Sequence, residues 1–406
     1  MKKTNKQKIP NIRQKDDGTY EWRKMINGKR YSLSDKDKQR LQRRARKFEE
    51  EMSFTQRRRT SDVTLDEIYE IWIRTKKNTL KPITYTRYIS TYNVHIKPVF
   101  GNKLITDIKH SDVKNFYINM AIEGEKSRGT IEDMNSIFKM IMELAVNDEL
   151  IMRNPCINAT DEAKKIARQP KQKFAMSDEQ IESLMEFVKN SKTYNRWYGI
   201  ILFALSTGMR INEITALQNS DIDLENEMIT VNKTLSCYPD WDNDEHKQIY
   251  AIQTPKNRTS DRKIPITDNV REAIMFERER CKNQNIVCES KVEGGVGFKG
   301  QTFNDFLFLN NIGEHYKEGC VCKGFLRIVK AYNKKAQEAN LPHITPHIAR
   351  HTLITKMMQS DMNQLVTISI SGHATTHHTI TTYTHVQDDF LKQSMKIFEE
   401  SEGKKK

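Results

Sequence analysis

Four short segments between residues 207 and 385 gather side chains that could do chemistry on a phosphate. The first is Thr207-Gly208-Met209-Arg210-Ile211-Asn212-Glu213, directly after the apolar run Trp197 to Leu205. A glycine there predicts a helix end, with Arg210 emerging at the turn. The second, Thr254 to Ile266, reads as a β-turn between strands with Lys256 at its edge; Lys247 and Lys263 lie in the same region. The third is Thr345-Pro346-His347-Ile348-Ala349-Arg350-His351. Thr-Pro opens a helix, and His347 and Arg350, three apart, share a face. The fourth is Ser371-Gly372-His373, followed by Tyr383-Thr384-His385. Two arginine forks are permanently charged, bidentate clamps for phosphate oxygens. They stabilise charge on a phosphodiester without needing a metal. A tyrosine hydroxyl can form a covalent intermediate, but its pKa of about 10 requires a base such as His347 near neutral pH. Taken alone, Arg210 and Arg350 each read as surface ion pairs; the four segments together favour a site.

A unit from about 176 to 395 must position these segments. It opens at the Ser177-x-x-Gln180 cap and mixes helices with a hairpin region at 227–268. The glycine-rich stretch 294–300 reads as a surface loop, because no strand and Lys-Ser/Thr pattern flank it. Residues 161–175 read as a polar linker carrying Lys164 and Lys165. Before it, 62–160 reads as helical. Thr64-x-x-Glu67 is a capping box, and Leu65, Ile68, Tyr69 and Trp72 form one face. Tyr85, Tyr88, Ile89 and Tyr92 form the next, a stripe better suited to core packing than to base stacking. Its opposite side, with Thr84, Arg87, Ser90 and Thr91, suits phosphate contact or plain solvation.

Residues 1–60 read as a small three-stranded sheet with one helix. Asp17-Gly18 and Asn27-Gly28 are hairpin-turn signals. Ser34-x-x-Asp37 resembles a helix start, and Leu41, Ala45, Phe48 and Met52 recur at helical spacing. Arg13, Lys15, Tyr20, Trp22, Arg23, Lys24, Lys29 and Arg30 decorate the sheet, with Trp22, Arg23 and Lys24 expected on the strand facing a DNA major groove. The class is therefore α+β and multidomain: the sheet-and-helix unit, a helical unit, a mixed, mainly α unit, and a disordered tail at 396–406.

The charge supports a polyanionic partner. The 406-residue chain has 67 Lys+Arg against 53 Asp+Glu, a net of +14. Residues 1–60 hold 10 Lys and 10 Arg against 8 acids, so +12 of the +14 sits there and +2 elsewhere. Such a concentration points to nucleic acid. The longest apolar run is too short to span a bilayer, and the amino terminus lacks a secretory core. Six scattered cysteines fit a reduced, cytoplasmic protein.

The order of these motifs resembles the tyrosine recombinases, in particular the integrases of temperate phages and conjugative transposons, over nearly the whole chain. TGMRINEI looks like the family's first catalytic arginine motif, TPHIARH like its His-x-x-Arg motif, and SGH with TTYTH like its last histidine and nucleophilic tyrosine. VHIKPVFG at 94–101 and ELIMRNPC at 149–156 look like its core-binding domain, and the basic amino terminus like its arm-type DNA-binding domain. The resemblance implies a catalytic set of Arg210, Lys256, His347, Arg350, His373 and Tyr383. Tyr383 would form a 3′-phosphotyrosine, Lys256 would protonate the departing 5′ oxygen, and His373 would orient the phosphate. No cofactor or metal is implied. Implied partners are double-stranded DNA with core-type and arm-type attachment sites, a homotetramer on DNA, an excision factor and a host DNA-bending protein. Arg13, Lys15, Trp22, Arg23, Lys24, Arg30, Arg87, Lys164 and Lys165 are the candidate DNA contacts. A helix at 388–399 would dock on a neighbouring protomer, with packing in cis as the alternative.

Other readings fit less well. His343, His347 and His351 could mimic a zinc face, but Ile344 stands where a metalloprotease needs glutamate. A two-metal transposase lacks a third carboxylate to join Asp221 and Asp223 or Asp388 and Asp389. A non-catalytic DNA-binding regulator conflicts with the complete residue set, and a chromosome-dimer resolvase with the basic first 60 residues.

Overall fold

The computed structural model describes residues 12–26, 29–58, 63–123, 126–169, 174–241, 247–255, 261–335, 341–360 and 364–372. Lys256, His373, Tyr383, the helix expected at 388–399 and the tail lie outside the described residues. The chain divides into two compact units, 1–170 and 171–406.

The first unit begins with an antiparallel sheet of β1 (Ile12–Gln14), β2 (Tyr20–Ile26) and β3 (Lys29–Asp35), followed by α1 (Lys38–Arg58). Gly18 takes a left-handed φ of +80° in the first turn, as Asp17-Gly18 predicts. Asp37, not Ser34, caps α1: its carboxylate accepts from the Gln39 and Arg40 amides at 2.7 and 3.2 Å. Strand alternation sorts the sheet. Ile12, Tyr20, Trp22, Tyr31 and Leu33 face Leu41, Ala45 and Phe48 of α1. Trp22 is fully buried, which corrects its expected place at a groove. It shares the phase of Tyr20, and a buried indole contributes more to this small core than any other side chain in it. Lys24 follows Trp22 in phase and bonds Glu49 of α1 at 3.0 Å. Trp22→Ala should cost about 3–5 kcal/mol, a large share of a small unit's stability of roughly 5–15 kcal/mol. Limited proteolysis should then cut within 12–58 while the fragment from 63 onward stays intact; unchanged protection of 12–58 would refute this.

Next come α2 (Leu65–Lys76), α3 (Pro82–Thr91), a π turn (Tyr92–Ile96), α4 (Lys97–Phe100), α5 (His110–Ile122), α6 (Arg128–Asn147) and the short α7 (Ala163–Ile166). The Thr64–Glu67 capping box forms at the start of α2. Tyr92 is buried, stacks on Tyr69 at 3.6 Å between centroids and donates to Asp66 at 2.6 Å. Tyr88 stacks on Trp72 at 5.4 Å. Residues 161–169 are not a free linker. Ala163 and Ala167, four apart, are buried, and α7 packs on α5 and α6. The charges around them are paired locally, with Lys114 and Glu162 2.6 Å apart. Polar composition there marks the outside of a packed turn.

The second unit contains α8 (Asp178–Asn190), α9 (Tyr198–Thr207), α10 (Ile211–Ile214), β4 (Ile222–Asp223), β5 (Met228–Val231), β6 (Thr234–Pro239), β7 (Gln248–Gln253), β8 (Arg262–Pro265), α11 (Asp268–Asn283), β9 (Val292–Gly294), β10 (Thr302–Phe303), α12 (Glu318–Lys335), α13 (Pro346–Gln359) and α14 (Gln364–Ser371). α9 is apolar all round and buried along most of its length, so it forms the centre of the core. It packs against α8, α11 and α13. Packing begins before the Ser177 cap: Met176 is buried, and its amide donates to Thr352 at 3.0 Å. Strands β4-β5-β8 make one sheet and β10-β9-β7-β6 another. The hairpin region expected at 227–268 is divided between them, with β5 and β8 paired in the first and β6 and β7 in the second. The glycine-rich stretch is the turn of β9–β10, and the Gly295 amide bonds Ile252 of β7 at 2.7 Å. Among the described residues no helix is long and apolar enough to cross a membrane.

Candidate active site

Arg210 stands at the turn that ends α9. Gly208 closes that helix with φ +61°, a conformation glycine adopts without strain. A β-carbon there would also sit 3.2 Å from Leu353 of α13. The turn thus lies against the helix that carries His347 and Arg350. Thr345 caps α13 by accepting from the Ile348 amide at 3.3 Å, with Pro346 at the first position. His347 falls in the first turn and is exposed, whereas Arg350, one turn on, is only 2% exposed.

Arg350 joins two segments. Its Nη1 donates to the Gly208 carbonyl and its Nη2 to the Ser371 carbonyl, both at 2.6 Å. Arg210 reaches the next carbonyl: its Nη2 donates to Gly372 at 3.1 Å. It also pairs with buried Glu213, Nη1 to Oε1 at 2.9 Å. The ion pair and the site are therefore one arrangement. Arg262, one of several basic residues in the segment Thr254 to Ile266, completes it. Its Nη2 bonds Glu213 Oε2 at 2.9 Å and its Nε the Ile370 carbonyl at 2.8 Å. Arginines 262, 350 and 210 thus donate to the carbonyls of Ile370, Ser371 and Gly372 in turn. A helix's last carbonyls lack partners within the helix and carry its negative dipole end. Three guanidinium groups supply both donors and charge.

Burial acts to raise the Glu213 carboxyl. The Arg262 hydrogen bond and charge, then the Arg210 charge, outweigh it and hold the group below the usual glutamate range. Glu213 therefore stays ionised and orients two arginines. Its signal in the sequence is the i, i+3 spacing from Arg210; that of Arg262 is its alternation with buried Ile264 along β8.

The structure thus brings Arg210, Arg350 and the segment leading to His373 together. His347 shares the helix of Arg350. His351 points elsewhere, buried with its Nδ1 3.1 Å from Thr355 Oγ1. Among the described residues no three His, Cys, Asp or Glu side chains are placed to hold a metal ion. All six cysteines are free of disulfides.

The candidate DNA contacts separate by face. Arg13, Arg23 and Lys15 lie within 2.9, 3.0 and 3.6 Å of Glu21, whose side chain is 7% exposed while Arg13 and Arg23 remain about half exposed. Arg30 is exposed on the same sheet face, opposite Met25. Arg87 is exposed and lies 3.4 Å from Asp133. Lys164 lies 3.6 Å from Asp161 and 3.7 Å from Glu132, and Lys165 is exposed.

Comparison with known proteins bears on this arrangement. Residues 175–389 match the phage integrase family, and residues 64–121 the phage integrase N-terminal SAM-like domain. The transposase from transposon Tn916 of Enterococcus faecalis is 31% identical over 301 residues, 74% of this chain and 69% of that protein. A XerC-like tyrosine recombinase of Caldanaerobacter subterraneus is 26% identical over 80% of each chain. Among solved structures, the integrase of transposon Tn1549 in complex with a circular intermediate DNA superposes with a TM-score of 0.69. It is 27% identical and covers 82% of this chain and 99% of its own.

Proposed function

The chain belongs to the phage integrase family of tyrosine recombinases, and we propose that it cuts and rejoins double-stranded DNA through a 3′-phosphotyrosine on Tyr383, integrating and excising a mobile element. The observation that carries this reading is the convergence of Arg210 and Arg350 on successive carbonyls of the turn before His373. The two forks would bracket the non-bridging oxygens of the scissile phosphate. They carry full charge at every physiological pH, so the pentavalent transition state gains electrostatic stabilisation. Tyr383 attacks phosphorus, His347 takes up its proton, and Lys256 protonates the 5′ oxygen as it leaves. The phosphotyrosine retains the bond energy for rejoining, and His373 orients the phosphate. The test is a nicked half-site DNA that loses its 5′ end on cleavage and so traps the adduct. A covalent complex with DNA attached at Tyr383, formed equally in the presence of a chelator, is the expected result. No adduct on any half-site would favour a regulator that binds without cutting.

The amino-terminal sheet supports a second, arm-type DNA contact. Its face away from α1 presents Arg13, Arg23 and Arg30, and Glu21 beneath gathers Arg13, Lys15 and Arg23. Burial works against the charge of Glu21, but hydrogen bonds from Arg13 and Arg23 hold its carboxyl below the usual range. The cluster is therefore held ready for phosphates, with Lys24 at the edge shared with α1. Arg87, Lys164 and Lys165 would contribute to core-type binding. By the same family relation the protein would act as a tetramer on DNA with an excision factor and a host bending protein. Removing residues 1–60 should abolish protection of arm-type sequences in a footprint and leave core-type protection. Arg23→Ala alone should lessen the slope of log K against log salt by about 0.9, one phosphate contact. An unchanged slope, or loss of both footprints together, would count against separate contacts.

A further inference from the structure

We propose that Arg262 is a positioning residue of this site: without touching DNA, it holds Glu213 and the carboxy-terminal turn of α14 so that Arg210 is presented to the phosphate. The inference rests on the strand-exchange reading given above. Arg262 lies on β8, 52 positions beyond Arg210 in the chain, and its side chain is 3% exposed. A buried arginine must find acceptors or leave costly unpaired donors. Arg262 finds the Glu213 carboxylate and the Ile370 carbonyl.

The division of the carboxylate is what matters. Glu213 Oε1 takes the side chain of Arg210, and Oε2 takes Arg262 and the Arg210 amide, each at 2.9 Å. With Arg262 in place, the single negative charge of Glu213 is shared. Arg210 is oriented by it without being neutralised, and its other nitrogen is left for the Gly372 carbonyl. Without Arg262, the full carboxylate charge would fall on Arg210 and draw it away from a phosphate. The same guanidinium seats α14. Gly372 has φ +62°, and a β-carbon there would come within 3.0 Å of Arg262 Nη1 and 3.2 Å of its Cζ and Nε. The backbone that leads into His373 therefore rests directly on Arg262.

Arg262→Lys keeps the charge but cannot make both bonds from one planar fork. It should slow adduct formation on the trapped half-site about tenfold or more, with core-site affinity unchanged. Two readouts separate positioning from general support of the fold. First, the loss should shrink in a Glu213→Gln background, because Arg262 acts through that carboxylate; additive losses would make Arg262 merely structural. Second, the pH profile should move. The charged groups on Glu213 are Arg262 from β8 and Arg210 from its own turn. Weakening the first raises the carboxyl, so the variant's rate should begin to fall at a higher pH than the parent's as the solution is acidified. A parental rate and profile for Arg262→Lys would overturn the proposal. Should that variant not fold, Arg262→Gln decides instead, since its single amide can donate to the Glu213 carboxylate or to the Ile370 carbonyl but not hold both. Slower adduct formation at parental DNA affinity is expected, and an unchanged rate overturns the idea. If the parent itself forms no adduct, it is the strand-exchange reading that fails.

Discussion

Tyr383→Phe should bind DNA as the parent does and form no covalent adduct. The substitution removes one oxygen and keeps the ring, so groove and phosphate contacts made elsewhere are untouched. The chemistry, however, has lost its nucleophile, and no rate enhancement from the arginines can act without one. Among the other described tyrosines of this unit, Tyr198, Tyr250 and Tyr316 are poorly suited to replace it. Burial pushes Tyr316 up to about 12, and burial together with the Cys237 thiol does the same for Tyr250. Tyr198 donates to Glu272 at 2.8 Å, and burial raises it too. A phenol further from ionisation gives less phenolate to a base near neutral pH. Denaturing gels of the trapped half-site reaction, with peptide mapping of the DNA-linked fragment, check the result. An adduct that persists in Tyr383→Phe would move the nucleophile to another residue, and mapping would identify it.

The parts of this molecule that were legible in its sequence are those fixed by local rules. Gly208 ends α9 because the chain needs a left-handed residue there, and Thr345-Pro346 opens α13 because a side-chain oxygen caps the amides and proline fits the first turn. The Thr64 and Ser177 boxes work in the same way. These signals place Arg210 at the turn after α9 and Arg350 in the second turn of α13. What was missed depends on phase along a strand and on partners far away in the chain. Trp22 stands beside Arg23 and Lys24 in a basic strand, but alternation puts it on the opposite face from Arg23, with Tyr20. Arg262 reads as one basic residue in a basic turn, and its alternation with Ile264 turns it inward. The polar run at 161–169 hid two alanines one helical turn apart, both buried. In each case composition suggested solvent, and periodicity suggested the core.

Arg210→Ala and Arg350→Ala should be equally damaging to chemistry and unequally damaging to the fold. Each removes a charged donor from the phosphate, and loss of one such donor costs about 2.7–4 kcal/mol, or about a hundredfold to a thousandfold in rate. Arg350 has a second role. It is 2% exposed and is the donor to two carbonyls, on Gly208 and Ser371. Its truncation leaves both buried without it, and an unsatisfied buried group costs about 1–3 kcal/mol. Arg210 is 41% exposed along its side chain, and its partner Glu213 keeps Arg262 when it is gone. Thermal unfolding should therefore show a clear drop in Tm for Arg350→Ala and little change for Arg210→Ala, while single-turnover adduct formation collapses in both. Exposure sets a further distinction. Added guanidinium ion can enter the space vacated by the open side chain of Arg210 and should restore part of its activity. Arg350 is only 2% exposed, so the space it leaves should admit much less of the added ion. Equal rescue of both variants, or equal loss of Tm, would mean that the two arginines share one environment, contrary to the different burial from which the prediction is drawn.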